Sequence, residues 1–162
     1  MKNLIALVIV FMVAGCASNG VLTFNTYPDL KKEQRIQWQW MIGKWYGKQP
    51  LSYGGEHEWL RENFPNGTYK IQFKSSNPDG SLIEKTEFGI WGLSGDVYFS
   101  IYQGHLEGEN ISESDPSDPE IYDAYHIIHL SEKAMEYMHA RTKAKFKVKK
   151  VPVIFTLKGK SL

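Results

Sequence analysis

From Gly43 to Val151 the chain alternates apolar and polar residues with a period of two, broken at short intervals by turn sequences. That period belongs to strands, whose successive side chains point to opposite faces. Residues 68–75 carry it most plainly, with Tyr69, Ile71 and Phe73 alternating with Lys70, Gln72 and Lys74. Pro65-Asn66-Gly67, Asn77-Pro78-Asp79-Gly80 and Ser94-Gly95-Asp96 separate the segments. Asn-Gly and Asp-Gly supply the positive φ that tight hairpins require, so consecutive strands are antiparallel neighbours. The pattern predicts one strand opening at Trp45 and others over 56–64, 68–75, 82–91, 97–103, 121–130, 134–140 and 144–151. Eight strands in an open sheet would leave two unpaired edges, which closure into an up-and-down barrel removes. A short helix precedes them. It starts at Pro28-Asp29, has Glu33 in its first turn, puts Leu30, Ile36, Trp40 and Met41 on one face and stops at Gly43. The expected class is therefore all-β: an eight-stranded antiparallel up-and-down barrel preceded by one short helix.

Composition bounds what such a barrel does. At 162 residues one domain is expected, large enough to bury about 70% of its unfolded surface. With 42% hydrophobic residues the chain is neither disordered nor a polytopic membrane protein. Lys and Arg number 19 against 18 Asp and Glu, which gives no global case for nucleic-acid binding. The single cysteine, Cys16, excludes an intramolecular disulfide and any site built on paired thiolates.

Cys16 has another use. Lys2 precedes an almost unbroken apolar run over residues 4–14, too short for about 30 Å of hydrocarbon but suited to a signal-peptide core. The run ends at Val13-Ala14-Gly15-Cys16, which resembles the lipobox of bacterial lipoproteins. That resemblance implies cleavage before Cys16, alkylation of its thiol by a diacylglyceryl group and acylation of the new amino terminus, palmitate among the chains. It also implies a membrane as partner, held through two or three chains where one alone binds marginally. Ala17, where an Asp would favour the inner membrane, implies an outer-membrane protein facing the periplasm. The chain then divides into a signal peptide (1–15), an acylated terminus and tether (16–28) and the barrel domain (29–162). Losing Lys2 leaves basic and acidic side chains in balance.

That balance conceals segregation. Residues 105–120 are acidic, with two prolines and no Lys or Arg, and read as a long solvated loop rather than a Ca²⁺ loop, whose ligand spacing they lack. The last strand puts Lys143, Lys145, Lys147 and Lys149 on one parity and Ala144, Phe146, Val148 and Lys150 on the other. The lysine row faces water, and Lys150 points inward at the strand's end. The row is either a solvated face that discourages edge pairing or a surface for anionic head groups, lipopolysaccharide phosphates or an acidic protein.

Gly43-Lys44-Trp45, after a short helix and at the head of a meander, resembles the Gly-x-Trp signature of lipocalins and their calycin relatives. Pro65-Asn66-Gly67-Thr68-Tyr69, Gly89-Ile90-Trp91, the run Tyr125-His126-Ile127-Ile128-His129-Leu130, Met135-Glu136-Tyr137 and Phe146-Lys147-Val148-Lys149-Lys150-Val151 are similar to small lipocalin-like bacterial lipoproteins. The resemblance implies that Trp45 closes one end of the barrel and that Lys150, where the family usually has Arg, packs over its indole. It also implies a lipid-like ligand.

No motif points to catalysis, and no catalytic residue, metal site or cofactor is assigned. Gly92-Leu93-Ser94-Gly95 lacks nucleophile-elbow spacing. Glu56-His57-Glu58 lacks a second His four residues on, and no Gly-rich phosphate loop opens a helix. His126 and His129 lie on opposite faces of a strand unless a bulge intervenes. The inward candidates are Trp59, Tyr69, Ile71, Phe73, Trp91, Phe99 and Tyr137. They either line a pocket for one small ligand or simply fill the core. Arg61 shares the parity of Trp59, so facing inward it needs a carboxylate such as Glu87 or an anionic head group. The leading expectation is a lipoprotein, not an enzyme, that binds a small apolar or amphipathic, lipid-like molecule. The alternative is a filled barrel acting as a structural module that contacts an envelope protein or polymer.

Overall fold

The computed structural model describes residues 32–157. The expected signal peptide, Cys16, the tether and the helix start at Pro28-Asp29 lie outside the described residues. Helix α1 (Lys32–Met41) leads into β1 (Gly43–Pro50), β2 (Glu56–Asn63), β3 (Thr68–Ser76), β4 (Leu82–Ser94) and β5 (Val97–Glu107). A short β6 (Asn110–Glu113) and a 3-10 turn (Pro119–Ile121) precede β7 (Tyr122–Leu130), β8 (Ala134–His139) and β9 (Lys145–Val151). The sheet order is β4-β3-β2-β1-β9-β8-β7-β5-β6, and β4 also pairs with β5. That last pairing closes eight antiparallel strands into an up-and-down barrel, with β6 hanging outside on β5. Closure leaves the barrel strands without a free edge.

The helix plugs one end. It buries Trp38 and Met41, at 7% and 0% exposure, whereas Ile36 of the expected face is 39% exposed. The reason is a partner across the barrel end: Trp38 stacks on Trp91 of β4 at 4.3 Å between ring centroids. Below this layer Trp45 is buried, and its indole N–H donates to the Met41 carbonyl at 2.8 Å. Asn63 Nδ2 donates to the same carbonyl at 3.1 Å, and Lys150 Nζ donates to the Trp40 carbonyl at 2.7 Å. The last carbonyls of a helix have no partner within it, so three barrel side chains cap α1 and join it to β1, β2 and β9. The Lys150 ammonium also lies 5.1 Å from the Trp45 ring centroid, and a cation near a helix C-terminus is favourable to its dipole.

Four expectations about facing and extent need correction. The acidic segment 105–120 is not one long loop. β5 continues to Glu107 and pairs with β6, Glu107 lying opposite Asn110 across a turn that holds Gly108 at φ 63°. Further along, Arg141 grips Glu120 with both guanidinium nitrogens at 2.6 Å. Phe99 faces outward rather than in, because Tyr98 and Ser100 take the interior positions of β5. On the outside its ring covers Gly92, its ladder partner, while Ile101 shares an outer recess with Ile121 of the 3-10 turn. Apolar side chains are thus sheltered on the outer face as well. A register shift between Ile127 and His129 moves the parity of β7, so His126 and His129 are both exposed on the outside. Finally, Lys143 leaves the lysine row for the preceding turn at φ 61°, and Lys145, Lys147 and Lys149 remain exposed on β9.

Trp45 is 1% exposed and joins helix to barrel. Trp45→Ala is expected to lower unfolding stability by about 3–5 kcal/mol, the usual cost of truncating a buried large aromatic. Urea unfolding with an unchanged m-value measures it; a loss below 1 kcal/mol would contradict the plug's role.

Candidate functional site

Beyond the plug the interior is not filled. A cavity of about 230 Å³ opens between the strands, lined by Trp59, Arg61, Tyr69, Ile71, Phe73 and Tyr137 among the expected residues. Trp91 is absent from its lining; it is consumed by the plug, with its indole N–H on the Phe64 carbonyl at 3.2 Å. Phe99 is outside. Residues that sequence reasoning missed complete the wall: Tyr98, Ser100 and Tyr102 of β5, Asp123 and Tyr125 of β7, Phe146 of β9, His57 of β2 and Gln49 of β1. The signal for the β5 residues was a parity choice, Tyr98-Ser100-Tyr102 against Val97-Phe99-Ile101, and apolarity favoured the wrong row.

Arg61 defines the polar part of the cavity. Its Nε donates to Asn63 Oδ1 at 2.8 Å, and Nη1 and Nη2 donate to Ser100 Oγ at 3.3 and 3.2 Å. The guanidinium carbon sits 3.6 Å from the Tyr69 ring centroid and 5.3 Å from that of Tyr98, contacts worth about 0.5–2 kcal/mol each. The expected pairing with Glu87 does not form. Glu87 lines the cavity but pairs with Lys85 at 2.9 Å, so hydroxyl, amide and aromatic faces hold the Arg61 charge instead.

A second acid faces the same space. Asp123 Oδ1 lies 2.9 Å from His139 Nε2. His139 Nδ1 accepts from the backbone N–H groups of Arg141 and Thr142 at 3.2 and 3.0 Å. An imidazole nitrogen that accepts carries no proton, so Nε2–H donates to Asp123 and orients it.

The aromatic wall stays uncharged. Burial pushes the phenol of Tyr137 up to about 12 and raises those of Tyr98 and Tyr125 further, so each remains an O–H donor at neutral pH. The Tyr98 hydroxyl has no hydrogen-bond partner among the described residues. Tyr125, Tyr137, Tyr98 and Phe146 meet edge to face or stacked at 5.2–6.2 Å. Gly47 makes room for Trp59: a Cβ there would meet the indole at 2.2 Å. Near the mouth, Tyr102 Oη lies 2.6 Å from His105 Nδ1, and His105 Nε2 lies 2.9 Å from Glu107. Among the described residues, no group of three or more His, Cys, Asp or Glu is placed to hold a metal ion.

No protein-family model matches the chain, and no curated protein matches it. Among solved structures it is similar to a lipocalin-like protein from Bacteroides uniformis ATCC 8492, at 20% identity and a TM-score of 0.41, over 69% of this chain and 99% of that one. The architecture is itself lipocalin-like. A short helix, eight up-and-down strands and the β4–β5 closure define it.

His57 stacks on Phe73 at 5.5 Å and bonds Ser75 Oγ through Nδ1 at 2.7 Å. Burial lowers its pKa from the ordinary 6.5. The folded protein therefore binds this proton less readily than the unfolded chain, so stability rises with pH through that region. The contribution is full above 6.5 and is lost as pH falls through the lowered folded value. His57→Gln is expected to flatten the drop in urea midpoint between pH 7 and pH 5; an unchanged slope would show that His57 does not contribute.

Proposed function

We propose that the protein is an outer-membrane lipoprotein, anchored through acyl chains on Cys16, whose periplasmic barrel binds one small amphipathic molecule. It acts by binding, not by catalysis. The observation that carries the binding reading is the interior cavity itself, aromatic on its walls and polar around Arg61. A barrel built only as a scaffold would gain by filling this space, since interiors otherwise pack to crystal-like density. It would also gain by replacing an inward guanidinium with an apolar side chain. Keeping both is what a ligand site requires.

Cavity size limits the ligand. A dry cavity of ~150 Å³ takes benzene, so 230 Å³ suits about ten heavy atoms. A long acyl chain would have to project through the mouth. This narrows the lipid-like expectation to a compact molecule. The anchor rests on the order of charged start, apolar core, small residues and cysteine in residues 1–16. An envelope partner would meet the outer face, where Lys145, Lys147 and Lys149 form an exposed basic row.

Native mass spectrometry of the full chain from membranes, released from detergent, tests the binding reading. A single small adduct is expected, lost in Ile71→Trp, which fills the cavity. Absence of any adduct after exposure to envelope extracts would count against it, as would an adduct that survives the filling variant. For the anchor, Cys16→Ser is expected to shift the protein from the membrane pellet to the soluble periplasmic fraction; continued sedimentation with membranes would refute lipidation.

A further inference from the structure

The cavity carries two poles of opposite charge, and their placement says which ligand chemistry it accepts. Arg61 on β2 and Asp123 on β7 both line it. Ser100 connects them, taking both Nη donors of Arg61 and lying directly across the ladder from Asp123. The two charges do not form an ion pair, and no carboxylate comes within ion-pair distance of Arg61 among the described residues. Asp123 in turn is held by His139, which accepts two backbone N–H groups at Nδ1 and turns Nε2 toward the carboxylate. Glu87 adds a second carboxylate to the lining, offset by Lys85.

An anion drawn to Arg61 would therefore enter a small volume already shared with Asp123 and Glu87, whose like charges repel it. A cation drawn to Asp123 would meet the Arg61 guanidinium in the same way. A net-neutral molecule avoids both penalties if it offers an acceptor to Arg61 and a donor to Asp123. Charged donors and acceptors make stronger hydrogen bonds than neutral ones, so this arrangement rewards such a molecule at both poles. The rings of Trp59, Tyr69, Tyr98, Tyr125, Tyr137 and Phe146 favour a flat ring for the rest of it.

Building on the ligand-binding reading of this cavity, we propose that it recognises a compact, uncharged molecule with one flat ring and an amide or lactam edge, its carbonyl oxygen on Arg61 and its N–H on Asp123. The preference for a neutral polar edge over a carboxylate comes from Asp123, and it is reversible by removing that one charge.

Three probes of nearly equal shape test this on the full chain in lipid nanodiscs: phenylacetamide, phenylacetate and phenethylamine, titrated by calorimetry with tryptophan fluorescence as a second readout. Phenylacetamide is expected to bind at least tenfold tighter than either charged probe. In Asp123→Asn, phenylacetate is expected to gain about tenfold relative to the amide; in Arg61→Gln, phenethylamine is expected to gain instead. Circular dichroism confirms that each variant is folded, and the comparison among probes in the unaltered protein stands without them. Tightest binding of phenylacetate, tightest binding of phenethylamine, or equal binding of all three overturns the proposal. If none binds while mass spectrometry still finds a small adduct, this inference fails and the ligand-binding reading survives. If none binds and no adduct exists, both fail.

Discussion

One buried side chain ties the closed end of the barrel to its polar interior. Asn63 is 1% exposed and uses both ends of its amide: Nδ2 donates to the Met41 carbonyl, and Oδ1 accepts from Arg61 Nε. The donor end completes the cap of α1, which Trp45 shares. The acceptor end aims the guanidinium across the interior at Ser100. A buried amide with either end unmatched would cost about 1–3 kcal/mol. Seating the helix and orienting Arg61 are therefore one event. Had the chain used an apolar residue at 63, the helix carbonyl would keep only Trp45, and Arg61 would lose its fixed direction.

This linkage explains why a barrel of eight strands is neither solid nor empty. Eight strands leave an interior that side chains nearly fill. Here Trp38, Met41, Trp45 and Trp91 fill the plugged end completely. Farther along, the inward positions pass to Arg61, Ser100, Asp123 and several tyrosines. Hydroxyls and charges need partners at defined directions and distances, so these residues cannot collapse together as aliphatic side chains would. The space that remains is kept open by polar constraints, with Arg61 stacked on Tyr69 and Asp123 pinned by His139.

The number of barrel strands, barrel closure, the inward turn of Lys150 and the shared face of Arg61 and Trp59 were legible in the alternation, because each depends on parity and turn chemistry within one or two strands. The misreadings share a cause. On β5, apolarity marked Val97, Phe99 and Ile101 as interior, but this barrel has a polar interior stretch and a sheltered outer face, so the rule inverts there. On β7, the extra residue near Ile128 moved His129 to the face of His126, and a bulge leaves no trace in local composition. On α1, Trp38 outcompeted Ile36 because its stacking partner, Trp91, lies far along the chain. The acidic hairpin of β5 and β6 was masked by charge, which suits an exposed strand pair as well as a loop. Asp123 was invisible as a site residue because its significance depends on Ser100 opposite and His139 beside it.

A signal that would have decided the β5 faces lies in the pairing of glycine with aromatic residues across the ladder. Gly47 is opposite Trp59, and Gly92 is opposite Phe99. In both pairs the ring occupies the space beside the glycine, and a Cβ there would meet it at 2.2 Å. A large ring can fold down onto the neighbouring strand only where that strand has no side chain, and covering the bare backbone offsets glycine's weakness in a sheet. Trp91 immediately precedes Gly92 and must turn inward to meet Trp38. Gly92 therefore faces out, and its partner Phe99 faces out with it. Ser100 is then forced inward, and with it the hydroxyl that receives Arg61. The polar character of the cavity thus follows from one glycine on the outer surface of the adjacent strand.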